Sequence, residues 1–224
     1  MRLLALDTAT ENCSAALLIG AELLEREFET ARGHAEHLLP MIDALLAEAG
    51  VTLAALDAIA FGRGPGSFTG VRLAAGITQG LAFGAGLGVV AVSDLRALAQ
   101  RAFGLEAGCE RVLVCNDARM GEVYWAAYTR REGLAEPAGP EQVGSPATLP
   151  ASVRAAGAGR GFAAYPQLAA HTGVEVPAGW DRLLPCAREI ALLAAPEVRL
   201  GRLLAPEEAL PVYVRDRVAQ PSST

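Results

Sequence analysis

The chain opens with three strand-like runs separated only by short turns: RLLALD (Arg2–Asp7), CSAALLIG (Cys13–Gly20) and ELLEREFET (Glu22–Thr30). Runs this close together pair as a meander. From His34 the pattern changes to alternation. HAEHLLPMIDALLAEAG carries Leu38, Leu39, Met41, Ile42, Leu45, Leu46 and Ala49 at helical spacing and closes on Gly50, a good residue for a left-handed helix end. Pro40 falls near its first turn, where proline costs little. LDAIAF is a fourth strand, Val71 to Ala85 a second helix, LGVVAVS (Leu87–Ser93) a fifth strand and Asp94 to Phe103 a third helix, with Ser93 or Asp94 as N-cap. This order predicts an α/β unit with a mixed sheet flanked by helices.

A second unit begins near Gly104. RVLVCND (Arg111–Asp117) and EVYWAAYTR (Glu122–Arg130) form a hairpin-like pair around ARMG. Gly133 to Pro150 reads as irregular chain with one short strand. A helix is expected over Leu149–Ala156 and a last one over Cys186–Ala194, ahead of EEALPVYVRDRVA and a polar tail. The expected organisation is a lobe of residues 1–103 followed by a lobe of residues 104–224. Three meandering strands, then alternating strands and helices, resemble at fold level the half-unit of the actin-like ATPases.

Composition removes several classes of chemistry. All 19 basic residues are arginine, so a Schiff base, a P-loop lysine and a lysine general base are excluded. The net charge of −6 gives the whole chain no basic footprint for nucleic acid. Cys13, Cys109, Cys115 and Cys186 are scattered and read as buried free thiols rather than a zinc site. No apolar run approaches the ~20 residues of a membrane helix. The start of the chain has no signal-peptide design, so a cytoplasmic location and no membrane contact are expected.

The loop GRGPGSFTGVR (Gly62–Arg72) joins the fourth strand to the second helix. Its glycines Gly62, Gly64 and Gly66 match neither the P-loop pattern nor G-x-G-x-x-G. Such a loop either aims N–H groups at an anion or serves as a structural turn. Ser67 or Thr69 could cap the helix, and Arg72 could meet an anion or a partner carboxylate. Asp7 ends the first strand beside a turn, where an actin-like ATPase uses an aspartate to help hold a metal. Ala9 stands where glycine would let the backbone approach phosphate, so a nucleotide site looks damaged. His34, Glu36 and His37 lack the spacing of a zinc protease, and His171 reads as exposed.

The first two helices send a different message. The first is apolar over more than one face, through Leu38, Ile42, Leu45 and Ala49 with Leu39, Met41 and Leu46 beside them. The second carries Gly76, Gly80 and Gly84 in register, each costing ~1 kcal/mol relative to alanine in a helix. Both features fit either helices sandwiched within this chain or a helix-mediated subunit interface.

Several of these stretches resemble one family. GRGPGSFTGVRLAAGITQGLAFG is similar to the signature loop and helix of the bacterial TsaB (YeaZ) family, and LALDTATENCSAAL to its opening hairpin. HAEHLLPMIDALL is similar to its first helix, NDARMGEVYWAAY to its D-A-R-x-G-E-V-Y segment and LPVYVRDRVA to its ending. The resemblance spans almost the whole chain. It implies an actin-like (ribonuclease H-like, ASKHA) fold of two lobes and a role in forming threonylcarbamoyladenosine beside the anticodon of tRNAs that read A-starting codons. In that family TsaB pairs with TsaD, a larger paralogue that performs the transfer, and the small ATPase TsaE joins them. TsaB-like proteins also form homodimers, and partner contact runs largely through the two N-terminal-lobe helices.

TsaD-like proteins carry a metal-binding H-x-E-G-H-type run after the fifth strand. The corresponding AVSDLRALAQ has no histidine. The resemblance therefore implies a non-catalytic partner subunit with no metal and no cofactor of its own, ATP being used by its partners and tRNA being met only through the complex. The expected interface comprises Leu38, Met41, Ile42, Leu45, Leu46, Ser67, Phe68, Thr69, Arg72, Gly76, Gly80 and Gly84, with Asp7, Gly62, Gly64 and Gly66 as a residual nucleotide-fold loop. The rival readings are a glycoprotease-like hydrolase, for which no nucleophile–base pair is readable, and a small actin-like kinase, against which Ala9 and Ala118 speak.

Overall fold

The computed structural model describes residues 1–30, 32–151 and 154–215. The meander forms as expected: β1 (Arg2–Asp7), β2 (Asn12–Ile19) and β3 (Glu22–Glu29) pair antiparallel, and β4 (Ala58–Gly62) and β5 (Gly88–Val92) extend the sheet in parallel, giving the order β3-β2-β1-β4-β5. Period-2 alternation sends Leu3 and Ala5 of β1 to one face and Leu4 and Leu6 to the other, all fully buried. Helices therefore cover both faces. α1 (His34–Ala49) and α2 (Phe68–Ala85) pack on the Leu4 face, the Leu3 face is covered by the last helix of the chain, and α3 (Asp94–Leu105) packs against that helix and the second sheet. The edge strand β3 is mostly exposed and carries five charged residues in eight, which discourages edge-to-edge pairing.

The second sheet is built from β6 (Arg111–Arg119), β7 (Glu122–Arg131), β8 (Leu134–Pro137), β9 (Gln142–Gly144) and β10 (Ala156–Ala158). Its order is β10-β6-β7-β8, with β9 also on β7 and β10 parallel to β6. One face joins the core around α3, and α4 (Arg160–Ala164) and α5 (Gln167–Thr172) cover the other through Leu113, Trp125, Phe162 and Leu168. The last helix, α6 (Ala187–Arg199), returns to the first sheet and lies between the two sheets, its Ile190, Ala191 and Ala194 in the core with Leu3 and Val114.

Several local expectations need correction. α2 begins at Phe68 rather than Val71, because the Ser67 side chain accepts from the Gly70 N–H and starts the helix one turn earlier. Pro40 lies in the second turn of α1, on its exposed side, where solvent reaches the carbonyl its missing N–H leaves free. Gly133–Pro150 holds two short strands, β8 and β9, rather than one. The helix expected over Leu149–Ala156 is absent at its described residues, where Ala156 opens β10, and residues 152 and 153 lie outside them. α6 runs through Pro196 to Arg199. The tail from residue 216 lies outside the described residues.

Candidate functional site

Gly62 closes β4 between two buried carboxyls. A Cβ there would lie 2.4 Å from Asp94 Oδ1 and 2.7 Å from Asp7 Oδ1, so only glycine fits. Asp7 ends β1 and accepts the Ala9 N–H at 2.7 Å; Asp94, in the first turn of α3, accepts the Gly64 N–H. Both are fully buried, and Asp7 Oδ2 and Asp94 Oδ1 have no hydrogen-bond partner among the described residues. Burial raises both groups, with Asp94 well above the usual carboxylate range through burial and the neighbouring Asp7 charge. Among the described residues no cluster of three metal-ligating side chains forms.

The glycine loop turns inward. Ser67 N–H donates to the Ala9 carbonyl at 2.7 Å, Arg63 N–H to Val92 at 2.9 Å, and the Thr8 hydroxyl donates to the Gly70 carbonyl at 2.7 Å. Cβ atoms on Gly66 and Gly70 would lie 2.5 Å from the Ala9 oxygen and 2.0 Å from the Thr8 oxygen. The backbone of Thr8–Ala9 thus lies directly against the start of α2. Of the two readings left open by the sequence, the geometry favours the structural turn.

A cleft of about 850 Å³ opens between the lobes, lined by the turn Ala9–Glu11, the start of α2, the turn Asn116–Arg119, Arg160, Arg182 and the segment Val212–Arg215. His34 is not free for metal or base work in it, since its Nε2 lies 2.8 Å from the Thr10 carbonyl. His37 stacks on Phe28 with ring centroids 4.3 Å apart, and His171 is exposed.

The two N-terminal-lobe helices divide the residues expected at an interface. Leu38, Ile42 and Leu45 of α1 are 0–2% exposed and point into this chain's own sheet, which corrects their assignment to a partner surface. Met41 and Leu46 are half-buried beside them, and Leu39 is exposed. On α2, Ser67, Phe68, Thr69, Arg72, Gly76, Gly80 and Gly84 are all exposed, and a Cβ on any of the three helical glycines would meet nothing within 4 Å. Their close-approach surface is therefore not used inside the chain. Phe83 is 81% exposed at the far end of the same helix. At the near end the Arg72 guanidinium lies 3.2 Å from the centroid of the Phe68 ring and 5.2 Å from that of Tyr213.

Comparison with known proteins decides the family. A family model described as TsaD, tRNA N6-adenosine threonylcarbamoyltransferase, matches residues 28–169. The chain is 42% identical over 226 residues to the tRNA threonylcarbamoyladenosine biosynthesis protein TsaB of Escherichia coli, covering 98% of this chain and 96% of the relative. Identity to the TsaB of Haemophilus influenzae is also 42%, over 97% of this chain and 95% of the relative. The chain belongs to the TsaB family. Two solved Pseudomonas aeruginosa structures agree with this TsaB-family fold. YeaZ superimposes with a TM-score of 0.83 at 44% identity, covering 95% of this chain and 99% of that one. An uncharacterized protein with similarity to peptidase YeaZ gives 0.88 at 47%, covering 96% and 99%. The two-sheet α/β fold expected from the sequence is therefore present.

Sequence reasoning placed Asp94 only as a possible helix cap, whereas in this TsaB-family chain Ser93 caps and Asp94 is the buried partner of Asp7. It also passed over Tyr213, which packs beside Phe68. The signal available for Asp94 was its place directly after β5, at the end of the strand next to Gly62.

Proposed function

We propose that this TsaB-family chain is a non-catalytic subunit in threonylcarbamoyladenosine synthesis on tRNA, activating a TsaD-like transferase by docking through the outer face of α2. The observation that carries this reading is that face itself: Gly76, Gly80 and Gly84 open to solvent beside the exposed Phe68 and Phe83, on a helix whose only charge is Arg72. Three helical glycines cost stability that their own fold does not recover, and close approach of a partner helix is the physical use for them. Leu39, Met41 and Leu46 extend the apolar surface from α1.

The closed glycine loop, the sealed Asp7–Asp94 pair and the missing histidines after β5 support a subunit with no cofactor of its own, ATP being consumed by its partners. A TsaE-like ATPase is the third component, tRNA is met only in the assembly, and the isolated chain pairs with itself through the same face. The location that suits this role is the cytoplasm; among the described residues no helix is long and apolar enough to cross a membrane. Activation requires the chain to bind the transfer-competent state of its partner better than the inactive one.

The test is tRNA threonylcarbamoylation by purified TsaD-like and TsaE-like proteins with the donor-forming enzyme, threonine, bicarbonate and ATP. Modification is expected only when this chain and the TsaD-like protein are both present. Modification by this chain without the TsaD-like protein would make it the catalyst, and equal modification without this chain would remove it from the reaction.

A further inference from the structure

The cleft between the lobes is spanned by the chain's own charges. On one rim Glu11 and Glu29 of the first lobe face Arg160 of the second: Arg160 Nη1 lies 3.3 Å from Glu11 Oε2, and its Nη2 meets Glu29. Arg119 adds a contact of 3.5 Å to Glu11 while holding Asp117 at 3.1 Å. On the other rim the C-terminal segment crosses between lobes. Val212 N–H donates to the Arg63 carbonyl of the glycine loop at 2.8 Å, and the Arg215 guanidinium reaches the Ala118 carbonyl at 3.1 Å and the Glu122 carboxylate. Arg63 itself bridges to Glu141 of the second lobe at 3.3 Å.

We infer that these contacts form an electrostatic clasp that fixes the spacing of the two lobes without any ligand between them. In a two-lobed protein that closes on a ligand, the ligand's charge bridges the cleft. Here Arg160 already bridges to Glu11 and Glu29 and Arg63 to Glu141 across the two lobes, while Arg215 anchors the crossing C-terminal segment to the second lobe. The contributions differ. Arg119 is 76% exposed and adds little, because solvent screens it. Arg160 and Arg215 are 33% and 19% exposed, and each joins two acceptor groups. Arg160 joins the lobes directly, and Arg215 does so through the segment whose Val212 N–H meets Arg63. Arg160 removal also leaves Glu11 and Glu29 as like charges on the rim.

The experiment is hydrogen–deuterium exchange of the full chain, comparing the cleft-facing segments 8–12, 62–67 and 116–122 with the sheet interiors 3–6 and 13–18. In the double variant Arg160→Gln/Arg215→Gln, the cleft-facing segments should exchange roughly tenfold faster, while the interiors keep their rates. In the unaltered protein, raising NaCl from about 0.05 M to about 1 M should speed the same segments and no others. This second measurement needs no variant to fold. The inference is overturned if cleft-facing exchange is unchanged in both experiments, or if the interiors accelerate equally, which would make these arginines supports of global stability.

Discussion

Gly70 and Thr8 are locked together across the start of α2: the Thr8 hydroxyl donates to the Gly70 carbonyl at 2.7 Å, and a Cβ on Gly70 would lie 2.0 Å from the Thr8 carbonyl oxygen. The obstacle is backbone on both sides, so no side chain can swing away. Gly70→Ala should therefore cost roughly 3 kcal/mol of stability, measured by urea unfolding. The same change at Gly76, where nothing lies within 4 Å, should stabilise by up to ~1 kcal/mol. Equal effects at the two sites would contradict the packing described.

Gly80→Leu should leave the monomer folded and at least as stable as the parent, since its side chain meets open space. Pairing with a TsaD-like partner, followed by sedimentation or calorimetric titration, should be lost. Leu45→Ala behaves in the opposite way. Its site is fully buried against the sheet, so it should lower stability by roughly 3 kcal/mol while keeping whatever pairing the folded fraction supports.

The Asp7–Asp94 pair predicts an acid-favouring contribution to stability. Both native carboxyls titrate above their unfolded range near pH 4, so the contribution is complete below that range and is lost as pH rises through the raised native value of the pair. Asn in place of Asp94 removes that titrating carboxyl while its side-chain oxygen can still accept from Gly64. Unfolding midpoints of Asp94→Asn should thus show a flatter decline from pH 5 upward than the parent. A slope identical to that of the parent would mean that the pair is not the titrating unit.

Glu189 on α6 is 6% exposed, and burial pushes its carboxyl up to about 7 despite nearby Arg101 and Arg188. Its share of stability is complete near pH 4 and disappears as pH rises through 7. Glu189→Gln should accordingly be more stable than the parent at pH 8.5, by on the order of 2 kcal/mol, and no more stable at pH 4.5.

Strand and helix periodicity made the first sheet legible almost residue by residue, because β1 has both faces covered and reads as an uninterrupted apolar run, while Gly50 marks the end of the first helix by local chemistry. What periodicity cannot say is which of two apolar stripes meets the chain's own sheet. On α1 the buried stripe is Leu38, Ile42 and Leu45, and nothing in their side chains distinguishes them from Leu39 or Met41. Small strands such as β9 and β10 were illegible for another reason. Three residues carry too little pattern, and their existence is decided by partners far away, Tyr124 for Val143 and Leu113 for Gly157. The glycine loop was legible as a loop, but its closure depends on Thr8 and Ala9, more than fifty residues earlier.

The position of α6 has a consequence for how the protein is made. Residues 187–199 cover the face of the first sheet that bears Leu3, Ala5, Ala16 and Leu18, strands that leave the ribosome first. A nascent chain therefore carries a bare hydrophobic surface through most of its synthesis. Completion of the earliest strands waits on one of the latest helices, so a premature stop anywhere before Ala187 yields a product prone to aggregate rather than a shorter working lobe.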